Sequence, residues 1–211
     1  MAHADECVPP DDTAPDPWAV VLDDLSAGRM VVVPTDTVYG VGVVATDPVA
    51  VASLFRLKAR DRHKPIAVLV ADLDQARKVG RFDAVASRLA ERFWPGGLTL
   101  VVPRAPGFRT ELGGDRDTVG IRCPNHDRLR SLLARSGPLA VTSANPAGER
   151  TPATAAAIAA VFGDAVSSVI DGGTLAGVAS TVVDCTGATP DVLRQGPVTR
   201  EHLRTAIADL A

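Results

Sequence analysis

Apolar residues recur along this chain in two rhythms, one helical and one extended. Trp18, Val21, Leu22 and Leu25 fall at i, i+3, i+4 and i+7, which makes one helix face apolar. Asp16-Pro17 supplies an N-cap and a proline at the first helical position, and Gly28 closes the helix. Residues 30–33 form a short β-branched run that predicts a buried strand. Residues 38–44 predict a second strand, in which Gly40 and Gly42 permit close backbone approach. Asp47-Pro48 opens a helix running to about Leu57. Further strands are expected at 66–70, 98–102, 119–122, 139–142, 169–171, 181–184 and 192–194. Helices are expected at 73–79, 84–93, 127–134, 153–161 and 201–210. This alternation with short links predicts an α/β domain built on a mixed open sheet.

Composition narrows the class. Of 211 residues, 46% are hydrophobic and 22% charged, a globular balance. The net charge of -3 hides an asymmetry. Asp5, Glu6, Asp11, Asp12 and Asp16 face no Lys or Arg within residues 1–16, so residues 17–211 carry +2. Residues 1–16 therefore read as a flexible acidic tail, and 17–211 as one domain. Cys7, Cys123 and Cys185 form no CxxC pair, which suggests a reducing, cytoplasmic setting. The histidines show no ligand spacing, so no protein metal site is expected. No apolar run approaches the ~20 residues of a membrane span. The acidic N-terminus has no cationic region of a signal peptide.

Three segments carry candidate chemistry. From Arg56 to Lys64, Lys or Arg stands at every second position. In a helix these would scatter; in an extended loop they would share a side. With the helix ending near Leu57, Lys58 and Arg60 are expected to point together, as a clamp for phosphate or carboxylate or as a solvated basic loop. In Val141-Thr142-Ser143-Ala144-Asn145-Pro146, Ser143 and Asn145 again lie two apart, at a strand end where open α/β sheets bind ligands. The same residues also suit an ordinary turn. In Pro34-Thr35-Asp36-Thr37-Val38-Tyr39-Gly40, the hydroxyls of Thr35, Thr37 and Tyr39 alternate and can line one wall, with Asp36 expected to bond turn backbone. There is no P-loop and no dinucleotide fingerprint. Trp94 is expected to pack, and Arg122 and Arg194 close strands as candidate anion contacts.

Taken together and in order, these segments resemble one family. Pro34-Thr35-Asp36-Thr37-Val38-Tyr39-Gly40, Lys58-x-Arg60, Lys64-Pro65, Trp94-Pro95-Gly96, Arg122-x-Pro124, Ser143-x-Asn145, Ser180-Thr181-Val182-Val183-Asp184 and Arg194-x-Gly196 are similar to the YrdC/TsaC, or threonylcarbamoyl-AMP synthase, family in its short single-domain form. The resemblance implies a YrdC-like α/β fold, a twisted open mixed sheet flanked by helices around a basic concave cavity. It implies a nucleotidyltransferase that converts L-threonine, bicarbonate and ATP, with Mg²⁺ accompanying the ATP, to threonylcarbamoyl-adenylate and pyrophosphate. Separate tRNA-threonylcarbamoyl transferase proteins act downstream. Carried over by position, Lys58, Arg60, Ser143 and Asn145 are the catalytic set and bind ATP together with Ser180 and Arg194. Thr35, Tyr39, Lys64, Arg122 and Thr142 hold threonine. The alternative is a non-catalytic, ribosome-associated protein using the basic strip for weak RNA binding. Aromatics at 4% leave little for base stacking in that reading.

Overall fold

The computed structural model describes residues 15–59, 61–175 and 177–208. The expected tail at 1–16 lies almost wholly outside them.

Among the described residues nine strands form one sheet: β1 (Val31–Val33), β2 (Gly40–Val44), β3 (Ala67–Leu69), β4 (Leu98–Pro103), β5 (Thr118–Arg122), β6 (Leu139–Ser143), β7 (Ser168–Val169), β8 (Thr181–Asp184) and β9 (Asp191–Arg194). Their order is β7-β1-β2-β6-β3-β5-β4-β8-β9. β1/β7, β3/β5 and β4/β8 pair in parallel and the remaining neighbours antiparallel, so the sheet is mixed, as the alternation predicts.

The α-helices among the described residues flank the sheet: α1 (Pro17–Ser26), α2 (Pro48–Leu57), α3 (Leu73–Val79), α4 (Ala84–Phe93), α5 (Asp127–Ser136), α6 (Ala155–Phe162) and α7 (Arg200–Ile207). Each begins at a side chain that accepts a backbone N–H of its first turn: Asp16, Asp47, Asp72, Asp83, His126, Thr154 and Thr199. Such caps satisfy donors that a helix leaves unpaired.

The strand pleat divides the core. Val31, Val33, Leu69, Leu139 and Val141 face a layer with Trp18, Val21 and Leu25 of α1 and Leu129, Leu132 and Leu133 of α5. Val32, Val68 and Ala140, one residue out of phase, face the larger layer with α2 and α4. Gly40 and Gly42 lie opposite β6, where an added Cβ would sit 2.5 and 2.7 Å from the Val141 methyls, so these positions do require close approach.

Two strand expectations shift. β2 starts at Gly40 rather than 38, because the Thr35 hydroxyl holds residues 35–38 in a turn. It donates to Val38 O at 2.6 Å and accepts the N–H groups of Thr37 and Val38. β7 ends at Val169, and the chain then runs from one sheet edge to β8, beside the other edge.

Candidate functional site

That crossing segment, through Leu175, Gly177, Ala179 and Ser180, forms part of a cavity of about 990 Å³. The remaining walls come from the 35–40 turn, residues 63–67, β4, β5, the C-terminal end of β6 with its following loop, and Arg194 of β9. Of the residues singled out in the sequence, Thr35, Thr37, Tyr39, Lys64, Arg122, Thr142, Ser143, Asn145, Ser180 and Arg194 all line it. The fold thus collects segments separated by up to about 160 positions at one site.

Arg122 organises one side. Its Nη2 pairs with Asp36 Oδ1 at 2.5 Å, Nη1 donates to Thr37 Oγ1 at 2.8 Å, and Nε donates to Gly96 O at 3.0 Å. Asp36 therefore serves an ion pair with the buried Arg122 and not the turn backbone it was expected to bond. The Trp94-Pro95-Gly96 turn gains a role as well: its last carbonyl helps orient Arg122. Trp94 itself packs, donating Nε1 to Leu98 O at 2.7 Å and meeting Phe82 edge-on. Burial pulls the Arg122 guanidinium below its ordinary value, Asp36 pulls it back up, and the positive charge of Arg194 adds a smaller downward push.

Tyr39 is fully buried, and its hydroxyl is already committed. It donates to Gly173 O and accepts from Gly172 N, both at 2.8 Å. This side chain holds the crossing segment in place at the cavity wall. Gly177 completes the contact: a Cβ there would lie 1.9 Å from Thr37 O, so only glycine lets the segment pass.

Lys58 departs from expectation. It does not share an exposed face with its basic neighbours and does not line the cavity. It is the C-cap of α2, it is buried, and Nζ donates to Ser143 O at 2.8 Å and to Asn145 O. The chain leaves α2 through Ala59 at φ 41°, which breaks the two-residue phase on which a shared face depends. Arg56 stays on the exposed helix end against Ser53, Arg62 lies over the Phe55 ring at 5.3 Å, and Lys64 reaches the cavity. Arg60 lies outside the described residues.

Asn145 is a brace like Lys58. Its Nδ2 donates to Pro146 O at 2.6 Å and to Glu149 O at 2.8 Å, fixing the loop after β6. That loop presents the Ser143 hydroxyl, which has no hydrogen-bond partner among the described residues. On the opposite wall, Arg194 donates through Nε to Ser180 O at 3.0 Å and through Nη2 to Ser180 Oγ at 3.1 Å. Burial alone lowers the Arg194 guanidinium.

The reading of the sequence missed Thr99, Thr118 and the crossing segment. The glycines at 172, 173 and 177 were a signal for the last, since three in six residues suggest tight backbone packing. Among the described residues no group of three His, Cys, Asp or Glu could hold a metal, and no helix is long and apolar enough to cross a membrane. The site can therefore offer cations, hydroxyls and backbone groups to an anionic, oxygen-rich ligand.

Comparison with known proteins agrees with this picture. The family model Sua5/YciO/YrdC, described as telomere recombination, matches residues 23–196. A Mycobacterium tuberculosis protein provisionally named threonylcarbamoyl-AMP synthase is 44% identical over 181 residues, 85% of this chain and 83% of its own. The Bacillus subtilis threonylcarbamoyl-AMP synthase is 35% identical over 190 residues, 88% of this chain and 55% of its own. The crystal structure of Pyrococcus abyssi Sua5 complexed with L-threonine superposes with a TM-score of 0.86 at 35% identity, covering 92% of this chain and 58% of that one. The chain thus spans a little over half the length of the last two proteins.

Proposed function

The chain belongs to the Sua5/YciO/YrdC family, and from that membership we propose that it is a threonylcarbamoyl-AMP synthase. It would join L-threonine, bicarbonate and ATP into threonylcarbamoyl-adenylate with release of pyrophosphate, making it a nucleotidyltransferase within the transferases. The observation that carries this reading is the single cavity that gathers Arg122, Lys64, Ser143, Ser180 and Arg194, with room for a nucleotide beside an amino acid.

The chemistry needs no protein nucleophile. Threonine's amine and bicarbonate give a carbamate and water. A carbamate oxygen then bonds to the α-phosphorus while the bond from that phosphorus to the bridging oxygen breaks, and pyrophosphate leaves with the electron pair. Two anions must approach, so the protein's task is to position them and to neutralise charge. Arg122, held by Asp36 and Thr37, is suited to the threonine carboxylate, with Thr35, Thr142 and Lys64 beside it. The Ser143 hydroxyl and the Arg194 guanidinium are suited to the nucleotide. Lys58 and Asn145 contribute by shaping the loop that carries Ser143. Mg²⁺ enters as part of the ATP substrate, coordinated by phosphate oxygens and water, which fits walls of hydroxyls and cations.

The test is pyrophosphate release by the purified protein. Release that requires ATP, threonine and bicarbonate together is expected. No release, or release indifferent to threonine, contradicts the proposal. Transfer of the threonylcarbamoyl group to tRNA would then fall to separate proteins.

A further inference from the structure

Thr99 sits in β4, buried, yet at the wall of the cavity. Its methyl faces β5, where a Cβ on Gly120 would lie 3.5 Å from Thr99 Cγ2. Its hydroxyl lies 2.8 Å from Ser180 Oγ. Ser180, also buried, receives both contacts of Arg194, one on its carbonyl and one on its hydroxyl.

Arg194 belongs to β9, at the edge of the sheet, and has no ion-pair partner among the described residues. A guanidinium can only donate. One lone pair of Ser180 Oγ is thus committed to Arg194, and Ser180 and Thr99 share one hydroxyl proton between them. The other hydroxyl proton of that pair has no acceptor among the described residues and lies at the cavity wall. Buried polar groups rarely stay unpaired, so an oxygen of a bound ligand is its natural acceptor. The result is a hydrogen-bonded relay from the sheet interior to an edge-strand cation: Thr99 anchors Ser180, and Ser180 orients Arg194.

We propose that Thr99 is a positioning residue for the nucleotide side of the reaction, holding the Arg194 guanidinium toward ATP through Ser180. This rests on the functional reading above. Thr99→Val keeps the branched shape and exchanges the hydroxyl for a methyl. KM for ATP should rise about tenfold, as the neutral Thr99–Ser180 hydrogen bond is lost and Arg194 is held less firmly toward the nucleotide. KM for threonine should change by less than about twofold, because Arg122 is held by other partners. Thr99→Ser should restore the wild-type value. In an Arg194→Ala background, Thr99→Val should add nothing, since the two side chains act as one unit.

The proposal is overturned if folded Thr99→Val keeps the wild-type KM for ATP. It is equally overturned if its effect adds in full to that of Arg194→Ala. Thr99→Ala, which cannot clash, takes its place under the same criteria should the valine variant fail to fold. Equilibrium ATP binding by the wild type separates the two levels. A wild type that neither binds ATP nor releases pyrophosphate removes the functional reading and this inference with it. An active wild type with an indifferent Thr99→Val removes this inference alone.

Discussion

Lys58 is buried at the end of α2, where its ammonium is held by two carbonyls of the loop after β6. The alternation of cations from 56 to 64 was legible, but its geometry depended on the backbone after Leu57. That backbone turns at Ala59, and Lys58 folds inward onto the carbonyls of Ser143 and Asn145. Lys58→Ala should therefore cost stability as well as activity, about 1–3 kcal/mol for carbonyls left without their donor. At about 2–4 °C per kcal/mol for a domain of this size, thermal denaturation would register it. An unchanged melting temperature would return Lys58 to the role of an open phosphate ligand. The two described cysteines offer a second check at this scale. Burial pushes the Cys123 thiol up to about 11 and the Cys185 thiol up to about 12. Both should resist alkylation in the native protein near neutral pH, as mass spectrometry of the labelled peptides would show. The sign of the pH effect follows from linkage. Below the ordinary thiol value both states are protonated. Above it the unfolded chain releases protons that the folded one keeps, so stability should fall as pH rises from about 9 toward 11 in denaturant melts.

Among the elements, helices were the more legible. α2, α3 and α4 have the expected bounds, because an aspartate cap marks each start and periodicity marks the rest. Strand edges were less so. The side chain of Thr35 captures residues that pattern alone assigns to a strand, a local competition invisible to hydropathy. In the crossing segment a strand was expected at 169–171 and a nucleotide contact at Ser180, but the packing of Gly172, Gly173 and Gly177 was not legible, since its partners, Tyr39 and Thr37, are distant in sequence. Its fit makes Gly177→Ala a sharp test. A methyl aimed at Thr37 O must lift the segment or move the 35–38 turn, and that turn holds Arg122. The variant should lose most threonine-dependent activity and melt at a lower temperature. Thr37 and Arg122 unaffected, with full activity, would mean that the segment merely passes by.

For the whole molecule, composition and alternation identified the class, yet not the strand order. Nothing local announces that β6 inserts between β2 and β3, or that β8 and β9 add beyond β4. Those insertions bring Ser143, Arg122 and Arg194 to one mouth. Legibility of the site came instead from the joint resemblance of its segments, each of which also suits an ordinary turn or surface loop. A cavity that gathers both ligands should respond to them together. ATP plus threonine should raise the melting temperature more than either alone, each ligand at a hundredfold over its Kd adding about 2.7 kcal/mol of stability. The most direct measurement of the central claim is the product itself. Incubated with ATP, threonine and isotopically labelled bicarbonate, the protein should yield an adenylate that carries both threonine and the label, seen by mass spectrometry. Pyrophosphate release without that labelled adduct, or no turnover at all from folded protein, would contradict the account.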